Sequence, residues 1–172
     1  NFILFRSAYK DYNWYNSDLQ NQKSSSLSAE FSYKELISIS GEYSLIDNYT
    51  FFREETNSLI GETDNFRKAS PNQIDSEINY FKIKLFSKID FGKFSLINTG
   101  QYQKKEQDLE LDGLATLNVP EWITRNTVMF SSEVFNNSLF IQTGLTFNYF
   151  TKFFADYYNP LLSEFVTQNY KE

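Results

Sequence analysis

The chain has 172 residues, of which 41% are hydrophobic, 22% charged and 19% aromatic, with 18 Phe, 12 Tyr, a net charge of -6 and a pI near 4.8. This is enough apolar material for a core and not the composition of a disordered chain, while the acidic balance argues against a clustered basic surface for nucleic acid. The absence of Cys and His removes disulfides, thiol or imidazole metal sites, and Cys/His or Ser/His/Asp catalysis.

No run of eighteen apolar residues occurs in the sequence, which excludes a transmembrane helix. A mean hydropathy of -0.49 leaves a membrane β-barrel open, because a barrel wall turns only every second residue toward lipid. The aromatic bias favours strands. The chain begins at Asn1 with no basic stretch followed by an apolar one, so a signal peptide is expected to have been removed or to lie outside this segment.

The first expected strand lies near Phe2 to Tyr9. A hairpin then turns around Lys34 and Glu35, with Leu27, Ala29, Phe31 and Tyr33 sharing a face with Ile37, Ile39, Gly41, Tyr43 and Leu45, since alternate side chains of a strand point the same way. A long connection from about Asp47 to Glu77 follows, carrying the polar run REETNSLIGETDNFRKASPNQ. The adjacent Glu54 and Glu55 would point to opposite sides of a strand, which makes them unsuited to paired acid and base work.

The next hairpin is placed around Phe91 and Gly92, because Gly supplies the positive φ of a tight turn. Asp90 is expected opposite Lys93, Ile89 opposite Phe94, Ser87 opposite Leu96, Leu85 opposite Asn98, Ile83 opposite Gly100 and Phe81 opposite Tyr102. The other face carries Lys82, Lys84, Lys88, Ser95, Thr99, Gln101 and Gln103, interrupted by Phe86 and Ile97. A second long connection covers residues 104 to 121. Its Asp108, Glu110, Asp112 and Gly113 resemble an oxygen-ligand calcium loop, but Val119 stands where that pattern wants Glu. No metal or cofactor is therefore expected.

The stretch NSLFIQTGLTFNYFT, residues 137 to 151, alternates apolar and polar side chains over about fourteen residues, longer than the roughly 5 to 6 of ordinary strands and enough for the roughly 9 to 11 of a tilted membrane strand. A turn at Asn136 and Asn137, which Asn tolerates at positive φ, sets Val134 opposite Leu139, Ser132 opposite Ile141, Phe130 opposite Thr143 and Val128 opposite Leu145. The reverse face pairs Glu133 with Phe140, Ser131 with Gln142, Thr127 with Thr146 and Arg125 with Asn148. Slipping the register by one residue would scramble both faces. The aromatic loop FTKFFADYYNPLL, residues 150 to 162, leads to a further strand expected near Leu162 to Gln168.

Short turns alternating with long connections are the habit of transmembrane barrels. The expected fold is therefore all-β, an antiparallel transmembrane β-barrel, with residues 1–172 forming part of one barrel domain and roughly seven or eight strands of a larger wall. A soluble antiparallel sandwich predicts the same alternation, but explains less well the strand lengths and the Gln, Asn, Ser, Thr and Gly character of the polar faces.

The segments LNVPEWITRN (117 to 126) and LFIQTGLTFNYFTKFFADYYNPLLSEF (139 to 165), and more loosely DYNWYN (11 to 16) and DNYTFF (47 to 52), resemble the putative porin family of Bacteroidota outer membranes. The resemblance covers most of the chain and implies an outer-membrane β-barrel, the later part of a longer protein made with a signal peptide. The chain departs from a complete member in lacking a terminal strand that ends in an aromatic residue.

Expected lumen-facing residues are Lys82, Lys84, Lys88, Arg125, Gln142 and Asn148, whose cations would favour anions. Trp122, Tyr149, Phe153, Phe154, Tyr157 and Tyr158 are expected in an aromatic girdle at the membrane interface or in a docking patch, with Tyr49, Phe51 and Phe52 gathering elsewhere. Partners would be the outer-membrane bilayer and other outer-membrane proteins. The expected function is passive diffusion of small polar solutes, with no catalytic residues. The alternatives are a structural or accessory barrel without a pore, and a soluble aromatic-rich glycan-binding β-domain.

Overall fold

The computed structural model describes residues 3–6, 13–16, 18–54, 69–107, 117–136, 138–160 and 163–168. These form twelve strands: β1 (Ile3–Arg6), β2 (Asn13–Asn16), β3 (Lys23–Tyr33), β4 (Ile37–Asp47), β5 (Thr50–Glu54), β6 (Ala69–Gln73), β7 (Ile78–Phe91), β8 (Phe94–Gln107), β9 (Trp122–Val134), β10 (Leu139–Phe150), β11 (Tyr157–Asn159) and β12 (Glu164–Thr167). The fold is all-β among the described residues.

The main sheet has six strands in the order β3-β4-β7-β8-β9-β10, every neighbouring pair antiparallel. Its strands run from 11 to 14 residues, about twice the ordinary length of roughly 5 to 6. The sheet is open, with β3 and β10 as its edges and no pairing among the described residues to join them. Near the N-terminus β1 and β2 form a separate antiparallel pair, so the strand expected at Phe2 to Tyr9 is Ile3–Arg6.

The hairpin of β9 and β10 has the expected register throughout, from Val134 opposite Leu139 to Arg125 opposite Asn148. Its positive φ values fall on Phe135 (52°) and Asn136 (49°), while Asn137 lies outside the described residues. The hairpin of β3 and β4 turns through residues 34–36, with Tyr33 opposite Ile37 and Lys34 at φ 51°.

The hairpin of β7 and β8 differs from its expected register by two residues. Phe91 pairs with Phe94 and Ile89 with Leu96, leaving Gly92 and Lys93 as the turn, with Gly92 at φ 64°. The faces are nevertheless as expected, because a shift of two restores the same side.

All three tight turns lie at one end of the main sheet, and the long connections lie at the other. The connections are partly folded. β5 and β6 arise within the segment between β4 and β7, β8 continues to Gln107, and the chain after β10 forms β11 and β12. The segment expected to begin another wall strand near Leu162 to Gln168 instead joins a small sheet of order β11-β12-β5-β6. In that sheet β12 runs parallel to β5, with Val166 opposite Phe52. Two small hydrophobic clusters hold this end together: Phe51, Ile74 and Ile78 with Ile46, Tyr49 and Leu117 around them, and Ala69 with Val166 beside Phe52 and Tyr157.

Candidate functional site

The two faces of the main sheet are chemically opposite. One carries Leu27 and Phe31 on β3, Ile39 and Tyr43 on β4, Ile83 and Leu85 on β7, Leu96 on β8, Val128 and Phe130 on β9, and Ile141 and Leu145 on β10; the pairing places them side by side. Most of these side chains are open, Leu27 at 76% and Leu145 at 82% exposure. An exposed apolar surface running over six strands far exceeds the patch that a soluble monomer usually shows.

Aromatic rings concentrate at the two ends of this face. Tyr43, Phe81, Tyr102, Trp122 and Tyr149 cross β4 to β10 near the long connections, with Tyr102 and Trp122 centroids 4.8 Å apart. Phe31, Phe91, Phe94 and Phe130 lie toward the turns, where Phe94 is 6.0 Å from Phe91 and 5.2 Å from Phe130. Aliphatic side chains fill most of the space between. A polar row, Ser87, Asn98 and Asn126, interrupts them. It bonds locally, Asn98 Nδ2 to Ser87 Oγ at 3.4 Å and Asn126 Nδ2 to Thr124 Oγ1 at 3.5 Å.

The opposite face is wet. Lys82, Lys84 and Lys88 on β7, Arg125 on β9, and Gln142 and Asn148 on β10 all occupy it, among Ser24, Ser26, Ser28, Ser38, Ser40, Thr99, Gln101 and Thr127. Serine dominates β3 and β4 here, and its small hydroxyls leave the surface hydrophilic without bulk. Lys82 Nζ sits 2.5 Å from Glu42 Oε2, and Lys88 Nζ 3.6 Å from Asp90 Oδ2. Lys84 and Arg125 are exposed and have no ion-pair partner among the described residues. Arg125 lies opposite Thr99, which lies opposite Phe86, two residues beyond Lys84. Both free cations thus occupy the middle of the polar face.

At the long-connection end, the polar face is covered. Ile78 is fully buried, Gln103 is 4% exposed and Ser44 is buried too, while Tyr43, Phe81 and Trp122 on the apolar face at that end stay open. Tyr80 donates to Gln103 Oε1 at 2.6 Å, and Gln103 Nε2 donates to Pro120 O at 2.6 Å. Gln73 Nε2 bonds Gln20 O, Asn48 O and Thr50 Oγ1 at 2.9 to 3.0 Å, tying the entry to β3 onto β5 and β6. Gln103 is buried and Gln73 half-buried; both are polar hubs that sequence reading does not single out, since Gln within a polar alternation looks like any other wet-face residue.

The expected aromatic residues divide among three places. Trp122 and Tyr149 stand on the apolar face of the main sheet. Phe153 and Phe154 line a cavity of about 310 Å³ with Lys105, Asn118 and Thr151. Tyr157 packs beside Ala69 and Val166 in the small sheet, and Tyr158 is exposed with its ring 5.4 Å from Phe165. Asp156 accepts from Asn118 Nδ2 at 2.9 Å, and burial pushes its carboxyl above the usual range, an effect opposed by that bond and by the charge of Lys105. The acidic residues 108–113 and Glu55 lie outside the described residues.

A family model described as "Putative porin" matches residues 1–172, the whole chain. No curated protein and no solved structure matches the chain.

Proposed function

Given that the chain belongs to the putative porin family, we propose that its main sheet is a stretch of outer-membrane β-barrel wall, with the apolar face against lipid and the polar face lining a watery lumen. The carrying observation is the exposed apolar face that crosses all six strands. Its dimensions suit a bilayer. Phe81 and Phe91 stand ten residues apart on β7, about 34 Å at roughly 3.4 Å per residue, and tilting the strand by about 45° brings this close to the roughly 25 Å apolar band of such barrels. Rings at both margins match interfacial girdles. Edges β3 and β10 would pair with further strands, since unpaired backbone is not viable in hydrocarbon.

The lumen face supports passive diffusion of small polar solutes, with no bond made or broken. Lys84 and Arg125, without an ion-pair partner among the described residues, favour anions at mid-wall. A second reading, an accessory barrel without conduction, draws on the covered end of the polar face, where the connections fold over the would-be lumen. Planar-bilayer recording of the folded protein separates the two: discrete conductance steps support the pore, and silence from a folded barrel supports the accessory role. A soluble glycan-binding domain is the poorest fit, because it leaves the apolar face without a cover.

A further inference from the structure

Burial in the main sheet is lopsided in a way that its own sequence pattern does not require. The polar face is hydrophilic enough to stay in water, yet Ser44, Ile78 and Gln103 are buried at the long-connection end. The cover comes from three separate connections: residues 48–54 and 69–77 after β4, residues 117–121 after β8, and residues 151–160 and 163–168 after β10.

These three are locked to one another as well as to the wall. β12 pairs with β5 in parallel, Val166 opposite Phe52. Asn118 Nδ2 donates to Asp156 Oδ1 at 2.9 Å and to Gln168 O at 3.4 Å, and Lys105 Nζ donates to Leu117 O. The connection leaving β4 is thereby joined to the one leaving β10, although β7, β8 and β9 stand between them. Four strand spacings of roughly 4.8 Å make that a span of about 19 Å.

We propose that this interlocked cap is the constriction of the pore, setting the largest solute that can enter from the long-connection end. The inference rests on the pore reading above. A strap that crosses the polar face at one mouth narrows the aqueous path without touching the lipid-facing side. Its core is small, centred on Val166 and Ala69 in one cluster and Phe51, Ile74 and Ile78 in the other, and the hydrogen-bond ladder of the six wall strands pairs with none of the small-sheet strands. The cap can therefore loosen while the wall persists.

The test uses the full-length protein in planar bilayers, with neutral polyethylene glycols of increasing size as exclusion probes. Val166→Asp puts a charge at a fully buried position, where an unpaired carboxylate is not tolerated. The expected result is a severalfold rise in single-channel conductance and passage of larger glycols, with unchanged heat-modifiable mobility. Conduction by the variant where the parent is silent also supports the cap, as a complete plug. Equal conductance and an equal size limit in both proteins overturn the cap as the constriction and leave the pore reading intact. Silence from both folded proteins overturns the pore reading and this inference with it. If Val166→Asp fails to reach the folded form, replacing residues 156–168 by a Gly/Ser segment of equal length puts the same question.

Discussion

Lys82 Nζ lies 2.5 Å from Glu42 Oε2 across the β4 and β7 pairing, where the two residues stand directly opposite each other. Both side chains are about one-third exposed, so the pair contributes at most about 1 kcal/mol to stability. Its larger effect is on charge: Lys82 is neutralised within the row of lysines, whereas Lys84 and Arg125 have no ion-pair partner among the described residues.

Ion selectivity should therefore follow the free cations. Lys84→Glu and Arg125→Glu are expected to move the reversal potential of a salt gradient toward cation preference, more than Lys82→Gln does. Glu42→Gln should move it the other way by unmasking Lys82. An unchanged reversal potential in Lys84→Glu and Arg125→Glu would remove both residues from the permeation path.

Gly144 is the glycine of the wall with no room to spare. A Cβ built there would lie 2.7 Å from Val128 O and 2.9 Å from Met129 Cγ, whereas at Gly100 nothing stands within 4 Å. Since a backbone oxygen cannot step aside cheaply, Gly144→Ala should destabilise the β9 and β10 pairing by roughly 1–3 kcal/mol. Gly100→Ala should be tolerated. Urea midpoints of the two variants in detergent check the difference.

The wall was legible because alternation assigns each side chain to a face, and three independent hairpins agreed. Val134 opposite Leu139 follows from that pattern together with a turn at Asn136 and Asn137. Alternation does not distinguish registers two residues apart, so the pattern puts Phe91 in the turn although it pairs with Phe94. The cap was not legible. Its strands β5, β6, β11 and β12 have three to five residues, too few for a periodic signal. Pro71 in β6 argues against a strand interior, and the parallel pairing of Val166 with Phe52 joins segments more than a hundred residues apart. Gln103 and Gln73 matter through partners that only this non-local packing supplies.

The cap should be sensitive to acidity through Asp156. Burial raises its carboxyl above the ordinary value of 3.8, with Asn118 and Lys105 opposing. A folded-state value above the unfolded one means that the associated stability is complete below the unfolded value and is lost as pH rises through the folded one. Amide protection in residues 117–121, corrected for the intrinsic pH dependence of exchange, should accordingly fall as pH climbs from about 4 toward neutral. Asp156→Asn, which keeps an oxygen to accept from Asn118, should flatten that dependence; the same slope in the variant would assign it to another group.

Phe135 sits at φ 52° with its side chain 76% exposed. The left-handed conformation costs a side-chain-bearing residue roughly 1–2 kcal/mol, and an exposed ring recovers little of this by burial. Phe135→Gly is expected to raise the thermal midpoint of the folded form in detergent micelles. A lower midpoint would mean that the ring makes a contact in the assembled protein that outweighs the strain.

In the proposed wall the apolar face meets lipid and the polar face meets water. With no cysteine in these 172 residues, spin labels can be placed singly at Leu85, Val128 and Leu145 on one face and at Lys84, Thr127 and Gln142 on the other, in protein reconstituted into vesicles. Accessibility to molecular oxygen, which partitions into hydrocarbon, is then compared with accessibility to a water-soluble nickel complex. Oxygen-dominated relaxation is expected at the first three positions and nickel-dominated relaxation at the second three. Labels at Leu85, Val128 and Leu145 shielded from both reagents would contradict it, because that is the signature of an apolar face buried against protein.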